Sequence, residues 1–222
     1  MNKITLIYGT QNAAKLEIMR AYLKSIEEIE LIGLSDLDFS WEEPEESGNR
    51  PLDNAVQKAL GYYRTCRMPV FSADSGLFIE GLSEEEQPGV HVRRVNGKYL
   101  DDEEMRAHYK EIAQRLGGSC AARYRNAMCL VFSEDEIYQS EEQELWTERF
   151  LLTTEERPQR MKGFPLDAIS ADIETGIHCY DQEAKSVSDE NVGIGCRNFL
   201  RQALKAHEER QHKAGNNEEN MK

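Results

Sequence analysis

The feature that most constrains this chain is its opening stretch, Ile4-Thr5-Leu6-Ile7-Tyr8-Gly9-Thr10-Gln11-Asn12-Ala13-Ala14-Lys15. Its first residues form a short run, apolar apart from one Thr and rich in β-branched side chains, that suits a buried strand. Gly9 breaks the run, and small polar side chains follow. From Asn12 onward Leu16, Met19, Leu23 and Ile26 recur at three- and four-residue spacing, the period of a helix. Strand, tight polar loop and helix in that order place backbone N–H groups at a helix N-terminus, where the dipole favours an anion. Lys15 falls in the first turn, and Thr10 and Asn12 offer further donors. Two readings stand at this point: a phosphate cradle with a lysine point charge, or an ordinary βα turn with a solvated lysine. A P-loop is excluded as the cradle. Gly9 and Lys15 have its spacing, but Ala14 stands at its second glycine and Leu16 at its metal-binding hydroxyl.

The rest of the chain continues in α/β fashion. Glu30–Leu34 reads as a second strand, and Trp41–Arg50 is an acidic, turn-rich loop that is either solvated or a source of oxygen ligands for Mg²⁺. Pro51 fits a first helical position, and Leu52, Ala55, Val56, Ala59 and Tyr63 give that helix an apolar face to about Arg67. Asn54 and Lys58 lie four apart on another face. Val70–Ala73 reads as a short strand running into Asp74-Ser75-Gly76, and Leu77–Leu82 resumes as a second apolar segment. An acid at the end of a buried strand is where α/β proteins place their sites, so Asp74 is a candidate base or metal ligand; the competing reading is a turn-capping aspartate. Asp101–Leu116 reads as an amphipathic helix, Ala121–Phe132 as a long strand and Trp146–Leu152 as another. Glu134–Glu148, acidic and without a basic residue, reads as a solvated hairpin or loop. Phe164 and Asp167 lie in a loop, where a ring could stack on a base and an acid could accept its hydrogen bonds. A final helix is expected to begin near Arg197. These pieces read as one domain over residues 1–206, with 207–222 a frayed, disordered tail lacking an apolar anchor.

Composition narrows the partners. A formal net charge of -14 over 222 residues repels nucleic-acid backbones, which excludes a polymeric nucleic-acid partner but not a nucleotide bridged by a divalent cation. No apolar run is long enough to span a membrane, and no secretory leader is expected. Five cysteines without a C-x-x-C pair read as reduced thiols, mostly small core residues, in a cytoplasmic setting.

Four motifs in order resemble the inosine triphosphate pyrophosphatase family, the Ham1-like or non-canonical purine NTP pyrophosphatases, over about Lys3 to Leu204. Thr10-Gln11-Asn12-Ala13-Ala14-Lys15 resembles its T-G-N-x-x-K, and Asp53-Asn54-Ala55-Val56-Gln57-Lys58-Ala59 its E-N-A-x-x-K-A. Asp74-Ser75-Gly76-Leu77 resembles D-S-G-L, and Pro88-Gly89-Val90 resembles P-G-V. The resemblance implies an α/β fold with a twisted mixed β-sheet and flanking helices forming two lobes around a central cleft. It implies Mg²⁺-dependent hydrolysis of a nucleoside triphosphate to a monophosphate and pyrophosphate, on ITP, dITP or XTP, by a homodimer. Carried over residue by residue, Lys15 and Asp74 are catalytic. Thr10, Asn12, Lys15, Ser75, Gly76, Phe164, Asp167, Lys185 and Arg197 bind substrate. Asp74 holds the metal with Glu43, which lies eleven residues before Asn54 as the family's glutamate does.

The chain also departs from the family. Ala73 stands where the family has a first acid. The family's G-F-G-Y-D-P becomes Gly163-Phe164-Pro165-Leu166-Asp167-Ala168. The family's S-H-R falls either on Ser188-Asp189-Glu190, which keeps Lys185 upstream, or on Gly195-Cys196-Arg197. The second register is preferred here, since that motif opens the last helix. The alternative to an active enzyme is a weak or inactive nucleotide-binding homologue. A third reading, an interaction protein acting through Glu134–Glu148, ranks last.

Overall fold

The opening stretch folds as its pattern requires, into β1 (Ile4–Tyr8) and α1 (Ala13–Leu23), followed by β2 (Ile29–Gly33). The computed structural model describes residues 3–38, 40–161, 163–181 and 187–219. Helix α2 (Pro51–Cys66) leads into β3 (Val70–Ile79). A two-residue pair, β4 (Arg94–Val95) and β5 (Lys98–Tyr99), precedes α3 (Asp102–Arg115). Then come β6 (Ser119–Ser133), β7 (Glu136–Ser140), β8 (Phe150–Thr153), β9 (Ser170–Asp172) and α4 (Val187–Glu219). Pro51 does sit at the start of α2, and Asp101 caps α3 by accepting from the Glu104 N–H at 2.8 Å.

The main sheet has the order β2-β1-β3-β6-β8-β9, with β7 also beside β6. β1 is parallel to both β2 and β3, and every other pairing in this sheet is antiparallel, so the fold is a mixed α/β sheet with flanking helices. β6 is its spine. One edge of β6 pairs with β3 along that strand's whole length, and the other carries β8 near its start and β7 near its end.

Side chains alternate faces along β3. One face carries Phe71 and Ala73 into a cluster built from α1 and α4, then Leu77 and Ile79 into a second cluster under α3. Between the two lies the polar pair Ser75–Asn126, which divides the apolar face into two regions. The opposite face carries Val70 toward α2, with Ala55, Ala59 and Tyr62.

Three expectations are corrected. Asp74-Ser75-Gly76 is not a turn at the end of a strand; it lies inside β3. Asp, Ser and Gly are poor strand formers, but β6 offers a partner to each residue from Val70 to Ile79 and holds the triplet extended. Trp146 precedes β8 rather than opening it. The last helix starts at Val187, not near Arg197, and continues to Glu219 through the stretch expected to fray. What anchors that stretch is not an apolar stripe. The His207 ring stacks on Phe132 at 3.8 Å and 6°, its Nδ1 lies 2.8 Å from Glu136 Oε1, and Arg210 donates to the Asp135 carbonyl at 3.0 Å.

His207→Ala removes the stack and a partner of the buried Glu136 carboxylate. It is expected to lower stability by about 1–2 kcal/mol, read as a lower urea midpoint by circular dichroism. An unchanged midpoint would show that this end of α4 is not docked.

Candidate active site

The loop after β1 is shaped by close approach. Gly9 donates to the Phe71 carbonyl at 2.8 Å, continuing the sheet, and Ser72 Oγ donates back to the Gly9 carbonyl at 3.2 Å. A Cβ at Gly9 would lie 2.3 Å from Ser72 Oγ and 2.8 Å from the Tyr62 ring, so only glycine fits. The Asn12 N–H donates to Thr10 Oγ1 at 3.2 Å. Asn12 then caps α1, its Oδ1 accepting from the Ala14 and Lys15 N–H groups at 3.0 and 3.3 Å. Thr10 and Asn12 are therefore engaged in building the loop. What the loop can offer an anion is the Ala13 N–H, the Asn12 Nδ2, the Thr10 hydroxyl hydrogen and the Lys15 ammonium at the positive end of α1.

β3 runs past the end of β1, whose last pairing is Tyr8 with Phe71, and brings Asp74 beyond it. Asp74 is buried on the α2 face. Its Oδ1 accepts from Lys58 Nζ at 2.8 Å and its Oδ2 from Asn54 Nδ2 at 3.1 Å. The other end of the Asn54 amide accepts from the Gly48 N–H at 2.9 Å, so one buried side chain ties the acidic loop to the acid on β3. Lys58 Nζ also lies 3.4 Å from Glu46 Oε1. Lys15 belongs to the same group of charges. Burial pushes its ammonium below the usual lysine range and the nearby Lys58 pushes it further, while Asp74 and Glu46 pull it back. Four charged side chains from four segments thus share one electrostatic site: Lys15, Glu46, Lys58 and Asp74.

The other expected residues are distributed as follows. Glu43 bears on the Tyr62 phenol: burial raises that phenol, the Glu43 charge raises it further, and a hydrogen bond with the Gln11 side chain lowers it. Gly76 shares the face of Asp74 and packs on the Gly89 backbone, 3.1 Å from where its Cβ would stand; Ser75 points to the opposite face. Gly163, at φ +92°, abuts the Asn12 amide, with 2.9 Å between Nδ2 and the position of a Cβ. The segment leading to Phe164 and Asp167 therefore lies against the cap of α1. Asp167 is flanked by the phenols of Tyr124 and Tyr180; burial raises both, and the carboxylate raises them further.

Two expected residues do not join this group. Lys185 lies outside the described residues. Arg197 donates to the Tyr22 carbonyl at 2.9 Å, seven residues along α1 from Lys15, or about 10 Å at the rise of a helix. The preferred register for the C-terminal motif is thereby corrected. Gly195-Cys196-Arg197 sits well inside α4, where a Cβ at Gly195 would lie 2.1 Å from the Glu144 carbonyl, so the glycine allows helix α4 to approach that backbone. The register Ser188-Asp189-Glu190 is the one at the start of α4.

Reasoning from sequence gave no role to Asn54, Lys58 or Glu46. Asn54 and Lys58 carried a signal, since they stand four apart on α2 and off its apolar stripe, a spacing that aims both at one neighbour. Glu46 carried none, being one of four glutamates between positions 42 and 46.

The fold fixes the class of protein first: a mixed α/β sheet of the HAM1 architecture. The HAM1 protein of Coxiella burnetii superposes with a TM-score of 0.69 over 90% of this chain and 99% of its own, at 22% identity. The Ham1 protein of Staphylococcus aureus superposes at 0.62 over 89% and 98%, at 18% identity. The family follows from the sequence. Residues 6–167 match the Ham1 family model, and the chain belongs to that family. The dITP/XTP pyrophosphatase of Bradyrhizobium diazoefficiens is 27% identical over 140 residues, covering 61% of this chain and 64% of its own length. That of Elusimicrobium minutum is 33% identical over 137 residues, covering 60% and 68%. The chain thus spans about two thirds of the length of these relatives.

Lys15→Met is expected to raise stability at neutral pH, since it removes an ammonium held against burial and repulsion. The sign follows from linkage: with the folded value depressed, the unfolded chain binds the proton more tightly. The cost is full below the folded value and vanishes as pH rises toward the ordinary lysine value of 10.5. The gain in urea midpoint should therefore shrink on going to alkaline pH. A gain independent of pH would contradict this assignment of charge.

Proposed function

We propose that this chain is a Mg²⁺-dependent nucleoside triphosphate pyrophosphohydrolase acting on non-canonical purine nucleotides such as ITP, dITP and XTP. The supporting observation is the joining of Lys15, at a capped helix N-terminus, with the buried Asp74 in one electrostatic site. The printed activity of the Bradyrhizobium and Elusimicrobium relatives supports the same reading.

The donor chemistry suits Mg²⁺. Asp74 and the loop glutamates are hard oxygen donors, and no cluster of three or more His, Cys, Asp or Glu is placed to hold a metal among the described residues. That matches an ion held by one or two carboxylates and completed by substrate phosphates and water. Bound there, Mg²⁺ would neutralise phosphate charge and polarise the scissile phosphoryl group. In the reaction, water attacks the α-phosphorus, the bond to the bridging α–β oxygen breaks, and pyrophosphate leaves. Lys15, the Ala13 N–H and the Asn12 Nδ2 hold the phosphates and stabilise the charge that develops on them. Asp74, oriented by Asn54, takes the proton of the attacking water. Phe164 stacks on the base, and Asp167 accepts from the N1–H that hypoxanthine and xanthine share. Gly76 and Thr10 line the approach, while Ser75 stands on the opposite face of β3 from Asp74. In this reading the protein works as a homodimer in the cytoplasm; its five cysteines are free thiols, and no described helix is long and apolar enough to cross a membrane.

The second reading, a nucleotide binder without turnover, is favoured by Ala73, which stands where the family has a first acid and packs against the α1–α4 cluster, so of these two positions on β3 only Asp74 offers a carboxylate.

Pyrophosphate release with Mg²⁺ across ITP, XTP, dITP and the standard triphosphates, with orthophosphate assayed in parallel, tests the reaction. The expected result is pyrophosphate alone, abolished by EDTA. Asp74→Asn should lower kcat by about 10²–10⁴-fold in a chain that still folds but melts at a lower temperature, since Lys58 loses its buried counter-charge. Full activity in that variant would remove Asp74 from the chemistry, and nucleotide binding without any pyrophosphate would establish the second reading.

A further inference from the structure

The segment that brings Phe164 to the start of α1 has almost nothing apolar to hold it. Residues 155–160 read Glu-Glu-Arg-Pro-Gln-Arg, with Pro158 the one apolar side chain. Its entry is tied to the turn beyond Phe164, where the Arg157 N–H donates to the Ala168 carbonyl at 2.8 Å. Its centre is filled by the Arg160 guanidinium. Nη1 donates to the Gln159 carbonyl at 2.7 Å and to the Arg157 carbonyl, and Nη2 donates to Glu156 Oε1 at 2.6 Å. The segment is thus curled round a charge. Past the curl, Phe164 is tied back to Met161, whose carbonyl accepts the Phe164 N–H at 3.1 Å.

Glu156 closes the curl and carries it to α3. Its Oε1 also accepts from Arg106 Nε at 2.9 Å, and its Oε2 from Lys110 Nζ at 2.5 Å. Arg106 and Lys110 stand four apart on α3, so both reach one carboxylate. Lys110, ahead of Arg106, holds the Glu156 carboxyl below the usual carboxylate range, against the effect of burial. Three cations on one carboxylate form a network, which is worth more than an isolated surface pair. The two ends of the segment are fixed by different physics. Just beyond Phe164, Leu166 and Ile169 pack into the apolar cluster under α3. Just before it, a cavity of about 580 Å³, lined by Asp101, Arg106, Arg160, Met161 and Pro165 among others, lies between the start of α3 and the segment. Apolar packing does not place Met161 across that space, and the bond between Glu156 and Arg160 does.

We infer that Glu156 and Arg160 are positioning residues for base recognition: their clasp sets Met161, and through it Phe164, against the start of α1, acting through the loop rather than by touching the nucleotide. The inference rests on the pyrophosphohydrolase reading for a base at Phe164. It goes beyond that reading in making base affinity depend on a charge cluster anchored to α3. The consequence is a division of roles. The phosphates are held at Lys15 and the first N–H groups of α1, which the clasp does not contact. The base is held by a ring whose place depends on the clasp, and opening the clasp frees Met161 and Phe164 to shift into the cavity.

The test is titration calorimetry of the full chain, in Mg²⁺, with two ligands: inosine monophosphate, which carries the base, and inorganic tripolyphosphate, which does not. Glu156→Gln keeps the shape and loses the charge, and Arg160→Met removes the centre of the curl. Each is expected to weaken inosine monophosphate by about 3–30-fold and to change tripolyphosphate by less than about twofold. The double variant should lose no more than the larger single loss, because both changes open one clasp. Should one variant fold poorly, the other single variant decides. Unchanged inosine monophosphate affinity, additive losses in the double variant, or equal weakening of both ligands, which a general loosening of the fold would give, overturns the inference. So does an unaltered protein that binds tripolyphosphate and not inosine monophosphate, and binding of neither ligand overturns the hydrolase reading as well. Pyrophosphate release by the unaltered protein is read separately: if it is absent while both ligands bind and the variants behave as expected, the hydrolase reading fails and this inference stands.

Discussion

A buried carboxylate cannot stand alone, and the arrangement around Asp74 follows from that constraint. Its two oxygens are satisfied by side chains one helical turn apart on α2, Asn54 and Lys58. Asn54 is itself buried, and its remaining oxygen takes the N–H of Gly48, so the position of the acidic loop is tied to the orientation of the acid on β3. Removing either partner would leave a desolvated charge or an unmet backbone donor, each costing more than the hydrogen bond is worth in the intact protein. The site is therefore rigid on the α2 side. Adaptation to a substrate falls to the long side chains of Lys15, Lys58 and Glu46.

The sheet explains why that acid faces a helix N-terminus at all. β1 and β3 are parallel neighbours, and β3 is twice as long, so Asp74 projects past the point where β1 gives way to the Gly9–Asn12 loop. β6 stabilises the extension by pairing with all of it. On the other side of the loop, Gly163 packs against the Asn12 cap and carries Phe164 and Asp167 in with it. Three segments distant in sequence meet at the start of α1, and two of the approaches, at Gly9 and Gly163, require the absence of a side chain.

Much of this was legible from residue pattern. The strand–loop–helix at the start, α2 behind Pro51 and α3 behind Asp101 all carry strong periodicity and recognisable caps; the ends of α2 and α3 fall within a residue or two of expectation, while α1 stops at Leu23, short of the expected Ile26. Asp74 was legible because an acid between two apolar runs is conspicuous. The strand through Asp74-Ser75-Gly76 was not, because its cause is a partner strand some fifty residues away rather than local propensity. The C-terminal helix was misjudged for a related reason. Its end is held by His207 and Arg210 against Phe132, Glu136 and Asp135, contacts that leave no apolar period to read. Arg197 was assigned to the site on the assumption that its motif opened a helix, and the helix opens ten residues earlier. Glu46 could be told from its neighbours only by the hydrogen bonds that fix the loop on α2.

The most direct measurement of the central claim is a crystal structure with Mn²⁺ and an inosine triphosphate analogue whose α–β bridge cannot be cleaved. The account predicts an anomalous peak at the Asp74 carboxylate, phosphates on Lys15 and the first N–H groups of α1, and the base beside Phe164 and Asp167. Nucleotide bound elsewhere, with Asp74 still closed on Lys58 and no metal at its oxygens, would contradict it.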